Sequence, residues 1–293
     1  MRFAKMHGAG NDFSLFDGIH DQLPDYPALA RAVCDRHFGV GGDGIMVALP
    51  SAAADVKMVY YNSDGSKGEM CGNGIRCFAK FVYEKGLVPK PTLAVETEAG
   101  LKEIQLTIDG AGLVDKVSVA MGRPIFASGL IPTTLEGDPV KLAPLRLGER
   151  LVLLTALRLG VPHSVIVTED LAQVDLPGLG SQIEAHPAFP ERINVNFMEV
   201  LNRREIKVKT FERGAGHTLA CGTGCCSCAV AGHLLGLLDD QVTVRAEGGV
   251  LEIGLSPDYD VTLRGTAQFI CEGEYSAWLL EQVAAEAVAR QNV

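Results

Sequence analysis

The sequence predicts an α+β protein of two pseudo-symmetric domains, each a curved, mostly antiparallel sheet wrapped on a central helix. Three observations carry this expectation. The first is an internal repeat: Met70-Cys71-Gly72-Asn73-Gly74 returns as Ala220-Cys221-Gly222-Thr223-Gly224, 150 positions later (221 − 71). The same shift lays Gly10 on Gly160, each opening an apolar stretch, and brings residues 92–100 close to residues 242–249. Several features aligned at one offset indicate a duplicated unit. The second observation is strand-like alternation over residues 56–61, 93–97, 102–108 and 116–121, separated by Gly, Asp and Pro. The third is a pair of helices. Ile75, Phe78, Phe81 and Val82 recur at helical spacing up to Gly86, whereas residues 225–238 are apolar nearly all round and read as a helix buried inside a sheet layer.

The halves are expected at 1–124 and 125–274, with the junction somewhere within residues 122–139 and with 275–293 able to return to the first half. Residues 272–292 close the chain with an Ala-rich run from Leu279 that reads as an added amphipathic helix. The glycine-rich loops at 39–44 and 214–216 lack the full dinucleotide or phosphate-loop pattern and read as turns.

Composition narrows the function. A chain of 293 residues with 47% apolar content can fill a core in each of two domains. With 26 Lys+Arg against 36 Asp+Glu, a net charge of −10 and no dense basic run, nucleic acid is not an expected partner. The most apolar stretch, 222–238, is short for a span and carries His233, so no membrane partner is expected either. Residues 1–13 show no apolar run after their basic residues, which argues against a secretory signal and for the cytoplasm. Eight cysteines (34, 71, 77, 221, 225, 226, 228 and 271) then read as reduced thiols. The partner that remains is a small molecule.

Cys71 and Cys221 stand out because Cys-Gly-x-Gly precedes a helix in each half. A thiol at a helix N-terminus sits beside unpaired backbone N–H groups, a position that favours negative charge. Two consequences are expected: a thiol pKa lowered towards neutrality, and N–H groups able to cradle a carboxylate. A pseudo-twofold repeat is expected to set one thiol on each side of a ligand. Such a pair can invert a stereocentre, one thiolate taking the Cα proton while the opposite thiol delivers another.

Each residue also has an ordinary explanation. Cys34, Cys77, Cys225, Cys226, Cys228 and Cys271 read as packing residues. Cys225-x-x-Cys228 has zinc-like spacing, but it lies in an apolar helical run without a second such pair, so no metal and no cofactor are expected. Asn11 and Asn62 fit turns, and Asn194 could cap an element. Glu212 and Arg213 could form a solvated pair, and His163 could be a core histidine.

The sequence resembles diaminopimelate epimerase, a cofactor-independent enzyme family of lysine and cell-wall biosynthesis, over most of its length. The resemblance is carried by Lys5-Met-His-Gly-Ala-Gly-Asn-Asp-Phe, Asp35-Arg-His-Phe-Gly-Val-Gly-Gly-Asp-Gly, Tyr61-Asn-Ser-Asp-Gly-Ser and Met70-Cys-Gly-Asn-Gly-Ile-Arg-Cys. In the second half it is carried by Gly160-Val-Pro-His, Ile193-Asn-Val-Asn-Phe and residues 211–224. It implies that Cys71 and Cys221 are the acid/base pair and that His163 and Glu212 support catalysis. It further implies that Asn11, Asn62, Asn194, Glu212 and Arg213 hold the polar ends of an amino-acid substrate. Backbone N–H groups at Gly72, Asn73, Gly222 and Thr223 would receive the reacting carboxylate. A homodimer is admitted but not specified.

Three positions depart from the family's common form: Val161 where Asn is frequent, Gly44 where some members carry Gln, and His217 where Glu is common. Asn73 and the Glu212-Arg213 pair favour the epimerase over a proline or hydroxyproline racemase of the same fold. A non-catalytic amino-acid binder or thiol redox sensor is the reading from another class.

Overall fold

The computed structural model describes residues 1–291 as two units. In the first, β1 (Arg2–Gly8) and β2 (Asn11–Asp17) form an antiparallel hairpin. Its turn residues, Ala9 and Gly10, both take positive φ (53° and 82°). Helix α1 (Tyr26–Cys34) begins at Asp25, whose carboxylate accepts from Ala28 N, with Pro27 in the first turn. It carries the chain across to β3 (Gly44–Leu49), parallel to β2. Strand β4 (Val56–Asn62) pairs antiparallel with β3, and β5 (Lys67–Gly68) with β4. Helix α2 (Gly72–Glu84) is the second crossover, leading to β6 (Thr92–Thr97), parallel to β4. Antiparallel β7 (Gly100–Ile108) and β8 (Val114–Gly122) follow. Residues 72–82 of α2 are all buried, which makes it the central helix.

The second unit repeats this plan. After β9 (Ala143–Leu147), β10 (Arg150–Leu159) and β11 (Val161–Thr168) form the hairpin. Helix α3 (Leu176–Glu184), capped by Asp175 with Pro177 in its first turn, leads to β12 (Asn194–Asn202), parallel to β11. Strands β13 (Glu205–Glu212) and β14 (Gly216–Thr218) pair antiparallel. Helix α4 (Gly222–Leu234) crosses to β15 (Gln241–Ala246), parallel to β13, followed by β16 (Gly249–Leu255) and β17 (Val261–Gly265). The repeat holds at the level of register. Phe13 lies opposite Gly44 as His163 lies opposite Asn194, and Tyr60 opposite Gly68 as Thr210 opposite Thr218. One residue is lost before β15: Val56 pairs with Val95, but Ile206 with Val244.

The chain then continues into β18 (Gln268–Glu274), which pairs antiparallel with β1, and α5 (Ala277–Gln291), which packs on α1. Leu279 and Val283 enter the core made by Phe16, Leu29 and Val33. The first unit therefore comprises Met1–Val119 and the segment from Gly265, and the second Ala120–Arg264. The second division falls before Gly265 and not at the expected 274/275 because β18 hydrogen-bonds to β1, and the first falls at 119/120, within β8, where 124/125 was expected. Residues 292 and 293, part of the expected closing segment, lie outside the described residues.

The helices at 26–34 and 176–184 were not expected from the sequence. They matter topologically, since each parallel strand pair needs a crossover between its members. No helix among the described residues is long and apolar enough to cross a membrane.

Candidate active site

Cys71 is the N-cap of α2, in extended conformation, and its sulfur accepts from Gly74 N at 3.4 Å. A Cβ at 74 would stand 1.8 Å from Met46 Cε, the end of a flexible side chain that would have to move aside. The half-buried thiol of Cys71 donates to Asn11 Oδ1 at 3.3 Å. What orients Asn11 is Asp43, whose carboxylate accepts from Asn11 Nδ2 and from Asp12 N. A carboxylate can only accept, so the Asn11 nitrogen turns to Asp43 and its oxygen to the sulfur. Behind this contact Lys5 pairs with Asp12 at 2.7 Å, and Arg36 reaches Asp43 at 3.4 Å. Burial works against the charge on Asp12, yet the Lys5 contact holds its carboxyl below the ordinary value.

Asn62 accepts from Tyr60 Oη and donates to Ser66 Oγ at 2.9 Å. Asn73 is buried, its Oδ1 receiving Arg76 Nη1 at 3.0 Å, and the same guanidinium nitrogen donates to Gly72 O at 2.9 Å. Gly72 and Asn73 thus stand in a first turn pinned by a buried arginine, and the helix geometry itself leaves first-turn N–H groups without intrahelical acceptors.

Cys221 repeats the capping geometry on α4, with Gly224 N donating to its sulfur at 3.4 Å and Thr223 Oγ1 also 3.4 Å away. A Cβ at 224 would lie 2.3 Å from Asn196 Oδ1. The thiol pKa departs from the expectation. Burial, and after it the charge of Glu212, push Cys221 well above the ordinary thiol value, outweighing the Thr223 and Gly224 hydrogen bonds. The lowered pKa expected at this helix N-terminus is therefore not found for Cys221: desolvation of a fully enclosed thiolate exceeds what the helix end returns. Glu212, nine positions before Cys221 as Asn62 is before Cys71 (221 − 212; 71 − 62), accepts from Thr218 Oγ1 at 2.6 Å.

His163, Asn194 and Arg213 form a third group. His163 is fully buried, and burial, with a smaller effect of the Arg213 charge, lowers its imidazole to about 3. It is neutral at physiological pH. Asn194 donates to Pro162 O at 2.9 Å and accepts from Arg213 N at 3.0 Å, so its amide ties the strand that carries His163 to the turn that carries Arg213. The Arg213 guanidinium lies at the surface, with one nitrogen on Glu191 O at 3.0 Å.

Among the polar residues that touch these groups without having been singled out in the sequence are Asp43 and Asn196, both within the motifs quoted above; the Asn196 amide donates to His163 Nδ1 at 3.2 Å. Of the three departures, Gly44 has a steric reason, since a Cβ would meet Tyr61 O at 2.4 Å and Tyr60 Cε2 at 2.8 Å. His217 pairs with Glu247, and Val161 is exposed at the start of β11. Cys225 and Cys228 are buried in α4. Among the described residues no group of three or more His, Cys, Asp or Glu is gathered as a metal would need. None of the eight cysteines is in a disulfide.

The family model described as diaminopimelate epimerase matches residues 3–127 and 155–270. The chain belongs to the diaminopimelate epimerase family. It is 47% identical over 276 residues to a diaminopimelate epimerase of Desulfitobacterium hafniense, covering 93% of this chain and 97% of that protein. With the Alkaliphilus metalliredigens diaminopimelate epimerase it shares 46% over 284 residues, 94% of this chain and 97% of that one. Among solved structures, the fold is shared with a hydroxyproline epimerase of Agrobacterium vitis, at a TM-score of 0.69 and 16% identity, over 94% of this chain and 90% of that one. A probable proline racemase of Agrobacterium radiobacter gives a TM-score of 0.68 at 16% identity, over 94% and 93%.

Proposed function

We propose that this chain is an isomerase that interconverts LL- and meso-diaminopimelate by a two-base thiol/thiolate reaction that uses no cofactor. The observation that carries the reading is the twin cap. In each unit a cysteine is the N-cap of the central helix, with the N–H of the third residue on its sulfur. A duplicated thiol suits a reaction with two equivalent and opposite proton transfers, which a single base does not perform without reprotonating the face it came from. The substrate's reacting carboxylate would rest on the first-turn N–H groups of Gly72, Asn73, Gly222 and Thr223. There the helix ends stabilise the charge that spreads onto it when the Cα proton leaves.

The two thiols are not alike. Burial and Glu212 keep Cys221 protonated, which supports its role as the acid in the direction in which Cys71, once it has given up the proton it shares with Asn11 Oδ1, is the base. After one turnover the roles are exchanged. The expectation of a reduced, cytoplasmic protein agrees with this chemistry, which a Cys71–Cys221 disulfide would stop.

The test is inversion in deuterated solvent. Wild-type protein with LL-diaminopimelate should yield the meso form with solvent deuterium at the inverted Cα, and Cys71→Ser and Cys221→Ser should each abolish inversion. Each single mutant should still eliminate halide from a β-halogenated analogue, since that reaction needs one base. Inversion at wild-type rate by either mutant would refute the two-thiol mechanism.

Arg213 is assigned to the far carboxylate of the substrate, where a guanidinium fork matches both shape and charge. A hydrogen bond to a charged group is worth about 1.5–3 kcal/mol, so Arg213→Met should lower kcat/KM for diaminopimelate by at least about tenfold. Because the side chain is exposed, the melting temperature should not change. An unaltered kcat/KM would remove Arg213 from the site.

A further inference from the structure

The repeated frame shows which buried positions of the second unit are polar without need. Positions 13, 46 and 60 of the first unit correspond to 163, 196 and 210 of the second. The first unit fills them with Phe13, Met46 and Tyr60, the first two fully buried. The second fills them with His163, Asn196 and Thr210, equally buried. Met46 closes on Gly74 as Asn196 closes on Gly224. The same space against the same helical turn is thus filled by an apolar pair in one unit, so packing does not call for the polar one. A buried polar group is unfavourable unless it is hydrogen-bonded.

The bonds of Asn196 decide the state of His163. Asn196 Nδ2 donates to Ser164 O at 3.0 Å, and a backbone carbonyl can only accept, so the amide nitrogen must face that way. Its second hydrogen meets His163 Nδ1 at 3.2 Å, while Thr210 Oγ1 donates to Asn196 Oδ1 at 3.1 Å. His163 Nδ1 must therefore present its lone pair, which puts the ring proton on Nε2. A proton on Nδ1 would set N–H against N–H. Nε2 is buried and has no hydrogen-bond partner among the described residues.

We propose that Asn196, braced by Thr210, is a positioning residue that locks His163 in the Nε2–H tautomer, so that His163 meets an acceptor on the bound amino acid as a neutral hydrogen-bond donor and not as a base. The nature of that ligand rests on the epimerase reading. The tautomer does not.

The tautomer is read directly from nitrogen–proton couplings of protein labelled with 15N-histidine, recorded at neutral pH without ligand. The wild type should carry its His163 proton on Nε2. Asn196→Asp should move it to Nδ1, since a carboxylate there can only accept. Asn196→Met should fill the space as Met46 does and leave the ring unlocked. Both variants should lower kcat on diaminopimelate at least about tenfold, the lower end of what losing an orienting partner costs, with KM little changed. A wild-type proton on Nδ1 would overturn the proposal, as would wild-type kcat in a variant whose His163 proton has moved. Should Asn196→Asp not fold, the wild-type spectrum and Asn196→Met still decide. Absence of diaminopimelate turnover in the wild type would instead overturn the substrate reading, with the ligand-free spectrum still testing the tautomer.

Discussion

His163 carries a cost that its counterpart Phe13 does not. Its imidazole is held at about 3 by burial and by the Arg213 charge, against an ordinary value of 6.5. Between those values the unfolded chain binds a proton that the native protein refuses, so stability is lost as pH falls through 6.5 and the loss continues to about 3. The slope is about 1.4 kcal/mol per pH unit. Replacing the polar pair by the first unit's residues, His163→Phe with Asn196→Met, should remove that dependence. Between pH 6.5 and pH 5 the wild type should lose about 2 kcal/mol more than the double variant, read from urea midpoints at the two pH values. Equal losses would show that His163 takes up its proton in the folded state. The lowered histidine, like the raised Cys221, follows from enclosure by strands and helices distant in sequence. Neither was legible from the residues flanking it: the helix N-terminus predicted a lowered thiol at 221, and only the packing around α4 shows why it is raised.

Helix ends were legible because their determinants are local. Cys-Gly-x-Gly announced both central helices, and their starts at Gly72 and Gly222 follow. Helices α1 and α3 were missed although the signal was present twice at the repeat offset: Asp25 with Pro27 and Asp175 with Pro177, a capping carboxylate and a first-turn proline. At nine residues each, they show too few turns for hydrophobic periodicity to declare them. What the motif did not explain is its last glycine. At 74 the obstacle to a Cβ is Met46 Cε, the end of a flexible chain, whereas at 224 it is the amide of Asn196, fixed by His163, Ser164 and Thr210. Gly224→Ala should therefore destabilise by about 1–3 kcal/mol, the scale of core overpacking, and Gly74→Ala by less. Chemical denaturation of the two variants checks the order. Equal costs would mean that Asn196 yields as readily as a methionine methyl.

At the scale of the whole chain, duplication explains both the symmetry of the thiols and the asymmetry around them. Register is conserved between β2–β3 and β11–β12, so the cysteine frame is inherited twice, while 13, 46, 60 and 62 diverge from 163, 196, 210 and 212. The helix that follows the second copy, α5, has no counterpart after the first, where β9 pairs with β10 as β18 pairs with β1. Its role is energetic: Leu279 and Val283 complete the core of Phe16, Leu29, Val33 and Ile45, and Glu286 pairs with Arg31 of α1. Among the described residues, the buried cluster of the second unit, built on Leu154, Ile183 and Phe197, contains none from α5. Ending the chain after Ser276 removes two buried aliphatic side chains at about 1.5–3 kcal/mol each, so the first unit should lose roughly 3–6 kcal/mol. The loss should be confined to that unit. Amide hydrogen exchange should quicken throughout α1 and β3, while α3 and β12 keep their protection. Equal acceleration in α3 and β12 would show that the two cores unfold as one, and unchanged exchange in α1 would show that α5 contributes nothing to the core it touches.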